Sequence, residues 1–341
     1  MSGTAGSDVR VVPFTPAHTE AVLELMRRWS PDHPELAERS LIDWQRCARY
    51  VALAGDRVVG QICQVSHEFR YADARPSVQV GWGITLVLDM SDDATRKAAG
   101  RQLLATCENA EGLKYGAVGV VPTIEPAYLR RGHRLTRDSS AYYARFFRPE
   151  KALAYWQKPT WLAPAVQVGN LVSWPRAVEP PGTLERITRF DPAWDATWDR
   201  MLRARYEFAG TRMADYLNYK LAQPRREYHV YVHRGADGAP DGYVVFRRAR
   251  HLTRDLDVVK LCDFVGSGAV LDALLGIAVR FARDEQSRGT YGIVGLSSMV
   301  DADAMRRAGL WVKRPYPVVL AGGVEGQVRV SFFDSDLDDL W

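Results

Sequence analysis

Residues 87–102 read VLDMSDDATRKAAGRQ. An apolar run ending at Leu88 has the character of a buried strand, an acidic turn follows, and ATRKAAG opens an amphipathic helix. A passage from strand to helix is a place for an anion, because the first backbone N–H groups of a helix lack partners and lie at the positive end of its dipole. Ala98, Ala99 and Gly100 are small enough to let a phosphate approach, Arg96, Lys97 and Arg101 add positive charge, and Leu88 and Met90 border the loop. An ordinary strand-to-helix turn reads the same way, so the stretch takes its meaning from the rest of the chain.

Working outward, residues 78–88 form an extended run with Gly81 and Gly83 inside it, a pattern of a bulge or a close backbone approach. Upstream lie a strand at 9–14, a helix from Thr15-Pro16 to Trp29, a second helix at 40–46, and two β-rich runs at 50–54 and 58–65 joined by Gly55-Asp56. Downstream the helix is expected to reach about Glu111. A buried strand at 115–121, a short helix at 124–131 ended by Gly132, and an extended region at 134–147 follow.

Then the pattern starts again. Phe190-Asp191-Pro192 stands 176 positions after Phe14-Thr15-Pro16, and Gly309 stands 177 positions after Gly132. Between those anchors the strand pair at 228–232 and 243–247, the strand at 258–265, the loop Gly266-Ser267-Gly268, the helix at 269–284 and the short helix at 302–308 repeat the first order. The chain reads as a tandem repeat of one α/β unit. The expected division is 1–147, then a Pro- and Trp-rich segment at 148–183 that docks between domains, then 184–341 with an acidic tail.

The 341 residues suit two domains, and 47% hydrophobic with 25% charged residues is a globular composition. No secretory leader precedes Val9 and no apolar run approaches the roughly 20 residues that span a bilayer, so a cytoplasmic protein without a membrane partner is expected. Cys47, Cys63, Cys107 and Cys262 are far apart in apolar patterns, which gives neither a disulfide framework nor a zinc motif. His229 and His233 share a strand face about 13 Å apart, too far for one metal. Asp334, Asp336 and Asp338 alternate like the start of a calcium loop, but the chain ends before the later carboxylate, so an acidic tail folded on a basic body is expected. No metal site is expected. Net charge is +4 and 38 of the 45 basic residues are arginine. That bias follows from codon usage and also suits phosphate partners.

The order of elements in both halves resembles the GNAT acyltransferase superfamily. In that family's donor loop a Gln or Arg is followed by two residues, Gly, one residue and Gly or Ala, then a helix with paired leucines; matching Leu103-Leu104 places Thr95, Ala98 and Gly100 at those positions. Tyr128-Leu129-Arg130-Arg131-Gly132-His133 resembles the family's tyrosine four residues before a glycine. The resemblance implies an α/β fold (α+β in some schemes) of two tandem domains, each a mixed, mostly antiparallel twisted sheet flanked by helices. It implies acyl-CoA as donor substrate, held by the loop, with its extended arm between strands 80–88 and 115–121 almost as an added strand.

Amide formation needs a neutral amine, donors for the oxyanion and a proton for the leaving group. Tyr128 occupies the position of the family's general acid. Asp89, Glu125 and the pair His67-Glu68 are candidate bases, with Asp89 preferred because it ends the strand beside the loop; His133 reads as a packing residue. Arg130, Arg131, Arg134 and Arg137 form a basic patch after Tyr128 for a phosphate or an RNA strand. The second half has Gly266-Ser267-Gly268 for the loop and Met305 for the tyrosine, so the first half is the expected catalytic one. The expectation is an N-acyltransferase acting on a small-molecule amine, with secondary metabolism as its setting, as monomer or homodimer. An aminoacyl-tRNA-dependent transferase of the same fold and a non-catalytic GNAT-like binding protein are the alternatives. Acceptor specificity is expected in loops 30–40, 66–78 and 207–213.

Overall fold

The computed structural model describes residues 8–31, 34–118, 120, 122, 124–136, 139–155, 157–175, 178–250 and 257–335. In the first half the strands are β1 (Val9–Pro13), β2 (Cys47–Ala54), β3 (Arg57–Tyr71), β4 (Val78–Leu88), β5 (Lys114–Val118), β6 (Arg134–Thr136) and β7 (Ser140–Phe146). The helices between them are α1 (Thr19–Trp29), α2 (Arg39–Trp44), α3 (Asp93–Glu108) and α4 (Glu125–Arg130). The segment that joins the halves carries α5 (Pro149–Tyr155) and α6 (Ala163–Val172). The second half has β8 (Thr183–Ile187), β9 (Phe208–Gly210), β10 (His229–Arg234), β11 (Pro240–Arg250), β12 (Asp257–Val265), β13 (Gly292–Ser298), β14 (Trp311–Pro315), β15 (Val318–Leu320) and β16 (Val328–Arg329). Its helices are α7 (Ala193–Arg205), α8 (Ala214–Leu221), α9 (Gly268–Asp284) and α10 (Ala302–Arg307).

Two mixed, mostly antiparallel sheets result. The first runs β1-β2-β3-β4-β5-β15-β6 and the second β14-β7-β13-β12-β11-β10-β8. The order shows a reciprocal exchange: β7, from the first half, lies between β13 and β14, while β15, from the second, lies between β5 and β6. Only residues 137–139 separate β6 from β7, and Tyr316-Pro317 separates β14 from β15. Connections this short lead each strand onward into the other sheet, an internal form of strand swapping. The extended region expected at 134–147 is therefore two strands in two sheets, a pairing that local sequence does not encode.

The sheets share one apolar core. Val65, Phe69, Val80, Trp82 and Ile84 of the first meet Tyr142, Phe146, Val294 and Leu296 of the second, with Val318, Leu320 and Phe332 between them. Alternation puts the opposite face of the first sheet, including Ala52, Val59 and Ile62, under Ala99, Leu103 and Cys107 of α3. Leu271, Leu274, Leu275, Ala278 and Val279 of α9 cover the second sheet in the same way, a 3.6-residue stripe. In the joining segment Trp174 packs on Phe147 and lies beneath the guanidinium groups of Arg145 and Arg283, whereas Trp161 is exposed. Trp156 lies outside the described residues.

The repeat has matching ends. Gly132 and Gly309 follow α4 and α10 with φ of 79° and 74°, the left-handed turn that glycine adopts without strain. The next N–H then returns to a carbonyl of the helix, His133 to Tyr128 at 3.2 Å and Leu310 to Met305 at 2.8 Å. Tyr128 and Met305 are thus structural equivalents. No helix of the described residues is long and apolar enough to cross a membrane.

Candidate active site

The site begins where two parallel strands part. β4 pairs with β5 only from Val80–Lys114 to Trp82–Gly116, then runs on to Leu88 with no strand paired on that side. On its other side the register with β3 shifts between Gln61 and Cys63, leaving Thr85 and Leu86 outside the regular pairs. Thr85 has φ of 50°, which strains a β-branched residue by about 1–3 kcal/mol. A polar chain holds it there: Gln61 Nε2 donates to the Thr85 carbonyl (3.0 Å), Arg49 donates to Gln61 Oε1 (2.6 Å) and to Gln45 Oε1 (2.6 Å). Beyond Trp82, Gly83, Thr85, Leu86 and Leu88 remain half-exposed, as do Val118 and Val120 across the gap. A narrow apolar cavity of about 10 Å³, room for roughly one water, adjoins the bulge between Thr85, Gln45 and the α1–α2 residues Met26, Trp29, Leu41 and Ile42.

Tyr128 is buried beneath this gap, and its hydroxyl lies 3.0 Å from that of Tyr115. Tyr115, which sequence reading placed only in a buried strand, reaches further: its hydroxyl is 2.9 Å from where a Cβ on Gly83 would sit. Gly83 leaves the space in which the ring lies. Burial raises the Tyr115 hydroxyl well above the ordinary tyrosine pKa, with Tyr128 adding to the effect. Burial also raises Tyr128, although the bond to Tyr115 opposes it. Both are proton donors at neutral pH. His133 packs against the two rings and contacts Glu108 Oε1 at 3.1 Å.

The donor loop is shorter than its sequence suggests. Asp92 caps α3 by accepting from Thr95 N–H (2.8 Å), so the helix starts at Asp93 and ends at Glu108. Ala98, Ala99 and Gly100 therefore sit in its second turn, the last two buried, with Gly100 beneath Leu88. Asp93 pairs with Arg96 and with Lys97 (2.6 Å), while Arg101 donates to the Lys97 carbonyl (3.2 Å). Met90 is exposed beside the turn. A capping aspartate followed by a second acid overrode the small residues downstream as the signal for where the helix begins.

Asp89 uses both carboxylate oxygens. Oδ1 accepts from Ser91 N–H (2.9 Å), and Oδ2 faces Arg57 (2.9 Å) and Arg28 (3.8 Å). The Ser91 bond, with the arginines, holds its pKa below the ordinary aspartate value, which lowers its strength as a base. Glu125 is buried in the first turn of α4. His67 is remote in role: Nε2 contacts the Thr211 carbonyl (2.9 Å), the ring stacks on Tyr216, and Nδ1 lies 3.4 Å from Asp334. Arg131 is engaged by Glu108 (2.8 Å), Arg134 donates to the Val324 and Gly326 carbonyls, and Arg130 is exposed. Arg137, Asp336, Asp338 and Asp339 lie outside the described residues. Among the described residues no cluster of three or more metal-ligating side chains occurs.

The equivalent gap in the second half is filled. β12 and β13 pair as far as Leu261–Gly295, and every later residue of both is buried. From the β12 side, Asp263 accepts from Arg212 (2.6 Å), Tyr243 (2.5 Å) and Arg329 (3.0 Å), and Arg329 also donates to the Phe264 carbonyl. Arg329 lies over the ring of Tyr206, whose hydroxyl contacts Asp301 (3.3 Å), and Asp301 accepts from Ser297 of β13 (2.7 Å). A bridge of the chain's own side chains thus crosses from one strand to the other. Behind it α9 opens at Gly268 with no side-chain cap from Ser267.

This tandem architecture occurs in solved structures. A probable N-acyltransferase from Enterococcus faecalis V583 superposes with a TM-score of 0.56 and 14% identity over 91% of this chain and 71% of its own. A GCN5-related N-acetyltransferase from Anabaena variabilis gives 0.58 and 12% over 91% and 72%, and Saccharomyces cerevisiae N-myristoyltransferase, solved with bound myristoyl-CoA and inhibitors, gives 0.59 and 10% over 94% and 83%. The fold is that of the GCN5-related N-acetyltransferases. No protein-family model matches the sequence, and no curated protein matches it.

Proposed function

We propose that the chain is an N-acyltransferase whose first-half cleft takes an acyl-CoA and passes its acyl group to the amine of a small molecule. The observation that carries this reading is the contrast between the gaps: β4 past Trp82 has half-exposed residues and no strand on its β5 side, while the residues of β12 past Leu261 are all buried. An extended amide-bearing arm bonds to such an edge as a strand does. The acidic cap of α3 makes the phosphate end of the donor a minor contributor, so the arm supplies most of the affinity.

The amine nitrogen attacks the thioester carbonyl carbon, the C–S bond breaks, and the thiolate takes the Tyr115 proton. Tyr128 replaces that proton across their 3.0 Å contact and regains one from water, which closes the relay with the proton that the amine gives up. The N–H groups of the bulge residues Thr85 and Leu86 serve the oxyanion. Asp89 fixes the turn, and the amine proton leaves through water.

Gly83→Val places a side chain against the Tyr115 hydroxyl and in the path of the arm. Calorimetry with acetyl-CoA should show binding weakened at least about tenfold, with the far-ultraviolet spectrum unchanged. Unchanged affinity would place the donor elsewhere. Transfer that requires tRNA and is lost on ribonuclease treatment would replace the donor by aminoacyl-tRNA; no transfer from either source, with binding retained, would leave a binding protein.

A further inference from the structure

In the segment that joins the halves, α6 turns its apolar side outward. Residues 161–172 read WLAPAVQVGNLV and contain no charged residue. A surface helix ordinarily turns its apolar side to the core and its charges to water. In α6 the buried residues are Ala163 and Asn170, seven positions apart and therefore on one side of the helix. Trp161, in the 3₁₀ turn Thr160–Leu162 that leads into α6, begins a stripe with Ala165, Val168 and Val172 on the opposite side. All four are exposed, and Leu171 beside them is exposed as well. Their spacing of four, three and four residues is that of a seam between two helices.

The stripe is held in this orientation. Asn170 Nδ2 donates to the Phe146 carbonyl (2.6 Å), and the buried Arg145 donates to the carbonyls of Asn170 and Ser173. The polar side chain therefore faces inward, as an anchor, and the apolar stripe faces out. An apolar surface of this size marks a contact that removes it from water. With roughly 250 Å² for a tryptophan and 150–180 Å² for an aliphatic residue, the exposed fractions of Trp161 (76%), Val168 (58%), Leu171 (71%) and Val172 (84%) come to about 500 Å². Two such faces bring together about 1,000 Å², the threshold for a specific interface.

We infer that the outward face of α6 packs on α6 of a second copy of this chain, antiparallel about a two-fold axis. The stripe is self-complementary in that arrangement. Trp161 of each copy lies opposite Val172 of the other, and Ala165 opposite Val168, so a larger residue meets a smaller one at every contact. A charged partner would find no counter-charge in 161–172, and a helix that lies on an anionic lipid surface carries Lys or Arg on its polar face, which this stretch lacks. The contact is independent of the acyl-transfer cleft and holds whether or not that reading does.

The test is sedimentation equilibrium of the full chain, with the far-ultraviolet spectrum and melting temperature of each variant recorded beside it. At about 50 μM the chain should sediment at twice 38.3 kDa. Val168→Glu changes an exposed residue of the single copy and buries a carboxylate in the seam, so it should weaken the dimer at least about 100-fold with the melting temperature of the monomer held. Adding Ala165→Lys to Val168→Glu sets opposite charges across the axis at both contacts and should recover at least about tenfold. Leu184→Glu, at an exposed residue of β8, should leave the dimer unchanged. A chain that stays monomeric at about 100 μM, a dimer that survives Val168→Glu, or a monomer that pellets with phosphatidylcholine vesicles would each overturn the assignment. No recovery in the double variant would overturn the antiparallel register.

Discussion

Where β4 leaves β5, four of the next six residues reach solvent; where β12 leaves β13, all four remaining residues are buried. The framework around the two gaps is the same, down to the glycine that ends each short helix. What differs is the filling. In the first gap a glycine faces the Tyr115 hydroxyl, which contacts that of Tyr128, and in the second Arg212 and Arg329 answer Asp263. Duplication supplies two copies of one cleft, and a set of ion pairs is enough to turn one copy into core.

The comparison breaks most severely at Arg212. Arg212→Met leaves Asp263 and Asp334 buried without their shared partner, and should cost about 3–5 kcal/mol in denaturant titration. A change below about 1 kcal/mol would mean the bridge does not hold the second gap shut. Next in size is Tyr115→Phe, which should lower kcat about 100-fold or more with little effect on donor binding. Met305→Tyr, which restores the equivalent hydroxyl to the sealed half, should add no activity; a gain would show that the second gap admits a donor.

The smallest effect is on pH. Burial lowers the His67 pKa below its ordinary 6.5, with Asp334 opposing. Its unfolded form therefore takes a proton first, so the stability from keeping it neutral is present above about pH 6.5 and is lost as pH falls through the lowered value. Burial alone would raise Asp263 and Asp334, but Arg212 overrides it and both lie below the ordinary range. Their contribution is present above about pH 4 and lost on further acidification. His67→Gln should remove the first slope and leave the second. An unchanged slope between pH 6.5 and 5 would assign it to another group.

The tandem fold was legible because it is written locally: two anchors at nearly one offset, alternating strands, and helix stripes. Residues 78–88 form a strand with the expected bounds. The strand exchange was not, because β7 and β15 have ordinary strand sequences and only their distant partners show where they pair. Tyr115 looked like core because it is core, and only its distance from Gly83 gives it a second role. The bridge joins Arg212 to residues 51 and 122 positions away, a spacing no motif records. The start of α3 was within reach of sequence, since Asp92 before Asp93-Ala94-Thr95 is a capping pattern that competes with a phosphate loop.

The most direct test of the working and sealed halves is hydrogen exchange followed by mass spectrometry with and without acetyl-CoA. The account predicts added protection at residues 83–90 and 115–120, and none at 262–271. Protection at 262–271 with 83–90 unchanged would contradict it.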